Sequence, residues 1–317
     1  MHGRKKRVIS EAELEGLRVK AEGYCKLSTA ISNMKQEQRR DVATLDLIQK
    51  MLTMNPDFYS LWNFRREILE HEYSKKPFDR DAGERELTLS SLAIQKNPKS
   101  YPAWQHRLWV GSKVVGGIDY NEEIRLCDKF LSVDQRNFHC WNYRREVVKL
   151  GNISSEDEME FSMKKIGENF SNYSAFHHRS VYLKDCDGDI NDRLEKELSI
   201  VHDAIFTEPD DQSAWWYYQF LMNWGNEKQK LGDDADLKSR FRDILNQQIE
   251  TVKSLLDLES ESKWAMVTLA YLLQLLMKMG SDSDENEGLT EERCSLLRRL
   301  CELDKAHKNR YLYLLSS

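Results

Sequence analysis

Proline and glycine are scarce here: the 317-residue sequence holds five prolines and fourteen glycines. All-β architectures need such residues at their many tight turns, so that class is excluded. A basic surplus is also missing. The formal net charge of −6 argues against nucleic-acid binding by the whole chain, because such binding rests on a cationic surface that releases counterions. No apolar run approaches the roughly 18 residues of a membrane helix. The longest candidate, Met266 to Met277, is interrupted by Thr268 and Gln274. Six cysteines (Cys25, Cys127, Cys140, Cys186, Cys294, Cys301) form no CxxC pair and no framework spacing. They read as reduced thiols of a cytoplasmic protein. P-loop, GxGxxG and HExxH patterns are absent as well, so nothing in the chain activates a thiol by itself. The basic start, Met1 to Arg7, has no signal-peptide core behind it and reads as a solvated tail.

What is present is ample material for a core, with 40% hydrophobic and 10% aromatic residues, arranged as a repeat. The first unit reads Asn55-Pro-Asp-Phe-Tyr-Ser-Leu-Trp62-Asn-Phe-Arg65 and the second Asn97-Pro-Lys-Ser-Tyr-Pro-Ala-Trp104-Gln-His-Arg107. The third is Asp134-Gln-Arg-Asn-Phe-His-Cys-Trp141-Asn-Tyr-Arg144, and the fourth Asn169-Phe-Ser-Asn-Tyr-Ser-Ala-Phe176-His-His-Arg179. The fifth, Glu208-Pro-Asp-Asp-Gln-Ser-Ala-Trp215-Trp-Tyr-Tyr218, puts tyrosine where the others have arginine, and a weaker sixth is anchored at Trp264. The anchors recur every 35 to 49 residues, the length of a helix pair.

Each unit predicts two helices. The first is amphipathic, as in Leu45, Ile48 and Leu52. A turn containing Pro56, Pro98 or Pro209 ends it. Asp57, Ser100, Asn137, Asn172 and Asp211 are the expected N-caps of the second helix. The tryptophan lies one turn in, and the arginine three residues later shares its face. The plain reading of the Trp/Arg pattern is packing between stacked pairs, the arginines meeting carboxylates or helix-end carbonyls.

The expected fold is therefore all-α: an α-α superhelix of at least ten helices in antiparallel pairs, a right-handed, crescent-shaped solenoid. Residues 1–40 are expected to be a tail and a polar helix opened by a Ser10/Glu13 capping box, and 41–279 the repeats. Residues 280–289 are expected to be a flexible acidic loop, and 290–317 a C-terminal helix of the same domain.

The paired elements around Trp104-Gln-His-Arg107 and Trp141-Asn-Tyr-Arg144-Arg145 resemble the repeat of protein prenyltransferase α subunits, over residues from about 40 to 222. The opening Met1-His2-Gly3-Arg4-Lys5, together with Arg136-Asn-Phe-His-Cys-Trp141, Asn169-Phe-Ser-Asn-Tyr173 and Asp211-Gln-Ser-Ala-Trp215, is similar to the Rab geranylgeranyltransferase branch. The resemblance implies an obligate heterodimer, inactive without its β subunit. The pair would transfer geranylgeranyl from geranylgeranyl diphosphate to C-terminal cysteines of Rab GTPases delivered by a Rab escort protein. It implies a zinc ion held mainly by the β subunit. It implies Lys99 and His139 as catalytic, with Tyr101 and Asn137 near the diphosphate; Phe138 stands where relatives often have tyrosine. It also implies that His2 can reach the zinc. Adjacent His177 and His178 point about 100° apart on a helix and read as packing rather than metal ligation. The alternatives are the α subunit shared by farnesyltransferase and type I geranylgeranyltransferase, and a non-catalytic helical-repeat scaffold.

Overall fold

A computed structural model describes residues 10–74, 76–186, 188–230, 234–280 and 283–316. They form fifteen α-helices and no strand. Two compact units are present, divided between Asn152 and Ile153. The sequence reading foresaw a single array without a break, and no linker marks this one. At the boundary α7 ends on Asn152, which adopts a left-handed conformation at φ 49° and stops the helix.

The first unit contains α1 (Glu11–Gln36), α2 (Val42–Met54), α3 (Tyr59–Glu72), α4 (Arg80–Lys96), α5 (Tyr101–Lys113), α6 (Tyr120–Val133) and α7 (Phe138–Gly151). The second contains α8 (Ser155–Glu168), α9 (Tyr173–Tyr182), α10 (Ile190–Thr207), α11 (Gln212–Lys230), α12 (Ala235–Leu258), α13 (Lys263–Lys278), α14 (Ser283–Leu303) and α15 (Lys308–Ser316). Within each unit consecutive helices pack as pairs. First helices stack on first helices, α2 on α4 and α10 on α12, while α3, α5 and α7, and likewise α9, α11 and α13, form the second layer. That is the α-α superhelix arrangement expected of the repeats.

The sequence explains these elements locally. Ser10 caps α1 with the full capping box: Glu13 N donates to Ser10 Oγ and Ser10 N donates to Glu13 Oε2. The turns inside the pairs share one closure, a backbone N–H donating to the carbonyl three residues back, as from Ser100 to Asn97, Asn137 to Asp134, Asn172 to Asn169 and Ser262 to Glu259. Asn137 and Asn172 cap their helices as expected. Asp57 does not. Helix α3 starts beyond Phe58, and the Asp57 carboxylate instead accepts from Asn97 Nδ2 in the next repeat, at 2.7 Å.

The anchors form a regular lattice. Trp62, Trp104, Trp141 and Trp215 are buried, and each indole Nε1 donates to the carbonyl six residues earlier at 2.8–2.9 Å. The tryptophan thus fills the pair interface and ties down its own turn. Phe176 is equally buried but offers no donor. Trp62→Phe should therefore lose about 1–2 kcal/mol, one net hydrogen bond plus a small packing defect, against about 3–5 kcal/mol for Trp62→Ala. Urea unfolding of the two variants checks the difference.

Arginine of one repeat forks onto glutamate in the first helix of the next. Arg65 grips Glu86, Arg107 grips Glu123 and Arg179 grips Glu197, with both N···O distances between 2.6 and 2.7 Å in every case. The remaining Nη1 donates to a carbonyl of the pair's own first helix, Leu45, Leu87 or Met159. The expectation was carboxylates or helix-end carbonyls; the carboxylates are there, while these carbonyls lie in the first half of their helices. The planar fork alone lets one cation serve two helices at once. A second donor completes each carboxylate: His106 on Glu86, Tyr143 on Glu123, Tyr217 on Glu197, and likewise His178 on Glu158. In the fifth unit Tyr218 replaces the arginine and donates to Gln248, an uncharged version of the same joint.

Two further expectations are corrected. Helix α14 begins at Ser283, so most of the segment expected as a loop is helical. No glycine or proline falls between Ser283 and Glu287 to break it, and Gly288 is carried inside the helix at a modest propensity cost. In the sixth unit Trp264 is the second residue of α13, whereas the other anchors are fourth in their helices. Met266, fully buried, takes that place.

Candidate functional site

The residues expected near chemistry lie on two turns of the first unit, those leading into α5 and α7. Both are rigid. Asn97 Oδ1 accepts from Lys99 N and Asp134 Oδ1 from Arg136 N, each at 3.1 Å, so each turn is fixed from inside by an Asx bond. Asn137 joins the two. Its Oδ1 accepts from His139 N and Cys140 N, and its Nδ2 donates to Pro98 O at 3.0 Å. The buried Asn137 amide is thus engaged on both sides. It sets α7 against the Lys99 turn, and its part is positioning.

The helix starts differ in one respect. Asn137 caps α7, whereas the Ser100 hydroxyl donates backward to Pro56 O at 2.9 Å and no side chain caps α5. Pro102 has no N–H, so it is the amides of Tyr101 and Ala103 that keep donor capacity at the positive end of the α5 dipole. Lys99 immediately precedes that cap. Its side chain is 73% exposed, and its ammonium lies 3.9 Å from Asp134, itself 40% exposed, a loose and solvent-screened pair. An anion can compete for it.

An aromatic row flanks the lysine. Tyr59 stacks on Tyr101 at 6.2 Å, Tyr101 meets the His139 ring edge-on at 5.8 Å, and Phe138 lies against His139 at 3.8 Å. Tyr59, Tyr101 and Phe138 are each about half exposed. Behind Tyr101 and His139 opens a cavity of about 280 Å³ that also touches Trp104, Gln105, Tyr143 and Arg145. Partial burial, then the Lys99 charge, push the His139 imidazole below its ordinary value. At neutral pH it is an uncharged ring, able to donate one hydrogen bond without adding charge. The structure thus brings Lys99, Tyr101, Asn137 and His139 together. Tyr59 escaped the sequence reading, although it precedes Trp62 by the same three residues as Tyr101 precedes Trp104.

The other candidates lie elsewhere. His2 is outside the described residues. His178 is buried against Glu158 at 2.6 Å, in keeping with packing. Among the described residues no grouping of three or more His, Cys, Asp or Glu could hold a metal ion, so these residues do not fit as a zinc site. No described helix is long and apolar enough to cross a membrane.

Comparison with known proteins follows the same repeats. The pattern described as "Protein prenyltransferase alpha subunit repeat" matches residues 43–72, 84–113, 120–150, 155–186 and 194–225. Geranylgeranyl transferase type-2 subunit alpha of Rattus norvegicus is 38% identical over 237 residues, 70% of this chain and 42% of the rat protein. The chain thus matches about two-fifths of the length of its mammalian relatives. The proteins of the same name from Dictyostelium discoideum and Saccharomyces cerevisiae match almost end to end. The first is 33% identical over 98% of both chains, the second 31% identical over 99% of both. In fold, a chain of Candida albicans protein geranylgeranyltransferase-I complexed with GGPP superimposes with a TM-score of 0.71 at 21% identity, covering 93% of this chain and 90% of that one. Repeats, anchors and end-to-end similarity agree: the chain belongs to the protein prenyltransferase α-subunit family.

Proposed function

We propose that this chain is the α subunit of a type-2 geranylgeranyl transferase, which with a β subunit transfers geranylgeranyl from geranylgeranyl diphosphate to C-terminal cysteines of Rab GTPases presented by an escort protein. The observation that carries it is the end-to-end similarity to two relatives bearing that name, joined to an anion-ready turn at the expected residues. In the reaction a cysteine sulfur bonds to the first carbon of the isoprenoid while the carbon–oxygen bond breaks and diphosphate leaves with the electron pair. Charge grows on the leaving oxygens, and donors fixed in advance stabilise that growth. Lys99 and the uncapped amides of α5 supply such donors, with the Tyr101 hydroxyl and the neutral His139 beside them. Activating the thiol is zinc chemistry in this reading, and it falls to the β subunit. The residues of this chain act on the leaving group instead.

The test is co-expression. The chain with a type-2 β subunit, an escort protein and a Rab acceptor should transfer radiolabelled geranylgeranyl, while the purified single chain should show no turnover. Turnover by the single chain, or transfer to CaaX peptides in preference to escorted Rab proteins, would overturn the reading.

A further inference from the structure

A second cavity, of about 110 Å³, lies in the other unit between α11, α13, α14 and α15. Its floor is apolar, built by Val267, Leu297 and Leu314 from the small core where α13, α14 and α15 meet. Its wall carries Arg293 and Arg310, with the Tyr271 ring beside them. Arg293 is only 7% exposed. Nη2 donates to Leu314 O at 2.7 Å, and the guanidinium meets no carboxylate among the described residues. This departs from the rest of the molecule, where the buried arginines Arg65, Arg107 and Arg179 each grip a glutamate. A guanidinium has five donors, and one carbonyl leaves most of the fork without an acceptor among the described residues.

The sequence from Arg293 to Arg310 is itself basic. Between residues 293 and 310 stand Arg293, Arg298, Arg299, Lys305, Lys308 and Arg310 against Glu302 and Asp304, a basic segment in an acidic chain. Asp304 already accepts from the Tyr311 hydroxyl at 2.8 Å and lies 2.9 Å from the His307 ring. Local positive potential over a low-dielectric floor attracts and holds anions.

We propose that this cavity binds a carboxylate borne on a short apolar stem, with Arg293 and Arg310 on the oxygens and the stem on Val267, Leu297 and Leu314. A planar carboxylate matches the edge of Arg293 left beside its bond to Leu314. The volume takes the carboxylate and the first carbon of the stem, and the rest of a longer chain reaches out past the exposed Arg310. The apolar floor favours a monoanion with a hydrocarbon tail over inorganic phosphate, which would leave its oxygens against Leu297 and Val267 without donors. A free short-chain acid and an acidic side chain of a peptide share this chemistry.

Fluorine NMR of 4,4,4-trifluorobutyrate with the full-length chain tests it. Saturable line broadening is expected, reversed by butyrate and not by butyramide. Arg310→Gln, at an exposed position, should weaken binding about tenfold, and Arg293→Gln more, the loss of a charge-assisted bond in each case. N-acetylglutamate amide separates the sources: displacement by it points to a peptide side chain, and displacement by butyrate alone to a free acid. Absence of saturable broadening, competition by phosphate as strong as by butyrate, or unchanged affinity in Arg310→Gln overturns the assignment. Should Arg293→Gln fail to fold, Arg310→Gln still decides.

Discussion

Glu86→Ala should destabilise the first unit by about 3–5 kcal/mol, the cost of removing one partner from a buried ion pair. Glu86 is 3% exposed and receives two bonds from Arg65 and one from His106. Its loss leaves Arg65, itself 4% exposed, with the Leu45 carbonyl alone. For a unit of about 150 residues this corresponds to a fall in Tm of roughly 10 °C. Glu122→Ala, which loses only the exposed partner of Arg125, should change Tm by little. The double variant Arg65→Met/Glu86→Leu should recover much of the loss, because hydrophobic replacement removes the stranded charge as well as the bond. A double variant no more stable than Glu86→Ala would show that the joint is needed for its geometry rather than for charge balance.

The same joint gives the unit a defined response to acid. Burial alone would raise the Glu86 pKa, but the His106 and Arg65 bonds overcome it and hold the group at about 2 against 4.5 in an open chain. A depressed carboxylate contributes stability above its unfolded value and loses it as pH falls, here between about 4.5 and about 2. The linked free energy is about 3 kcal/mol. His106 acts in the same sense. Burial pushes its imidazole below the ordinary value although Glu86 opposes this, so the ring is neutral in the fold and its contribution declines as pH drops below about 6.5. Its Nδ1 is buried without a partner, so a proton there would have no acceptor. Melting from pH 7 to pH 3 should show Tm falling throughout. In Glu86→Ala the step below pH 4.5 should be diminished.

The anchors were legible because tryptophan and arginine are large, uncommon at a fixed spacing, and set by packing. Their partners were not, because Glu86, Glu123, Glu158 and Glu197 are four among 53 acidic residues. A signal did exist. Each glutamate precedes the His or Tyr that completes it by twenty residues, and that His or Tyr stands one place before the repeat's arginine, or before Tyr218 in the fifth unit. Spacing across two helices is invisible to a search along one face. Asp57 was misread for a related reason: a polar residue after proline fits a cap equally well as a link to Asn97, and only the neighbouring repeat decides. At the site, Lys99, Tyr101 and His139 came from resemblance, and the residues alone read as an ordinary turn. The missing cap on α5 could not be foreseen, since Ser100 is a favoured cap whose hydroxyl is drawn to Pro56 by the stacking of repeats.

Lys99→Ala should slow the chemical step of the assembled heterodimer about a hundredfold, the loss of roughly 3 kcal/mol of transition-state stabilisation. The ammonium is loosely paired with Asp134 and exposed, so removing it costs the fold little. Any large effect must then arise in the reaction. Charge on the diphosphate grows as it leaves, so the lysine should matter more at the transition state than in the bound substrate. Affinity for geranylgeranyl diphosphate should accordingly weaken much less than the rate. Lys99→Arg keeps the charge but alters reach and donor geometry, so partial activity is expected. His139→Ala should lower the rate less, because a neutral ring offers a single hydrogen bond. Asp134→Asn, which removes the charge facing the ammonium but keeps an Oδ1 to accept from Arg136 N, should leave the rate equal or slightly raised. Single-turnover prenylation separates chemistry from product release. A near-normal single-turnover rate for Lys99→Ala in an intact complex would remove the lysine from the site, leaving the α5 amides as the principal donors from this chain.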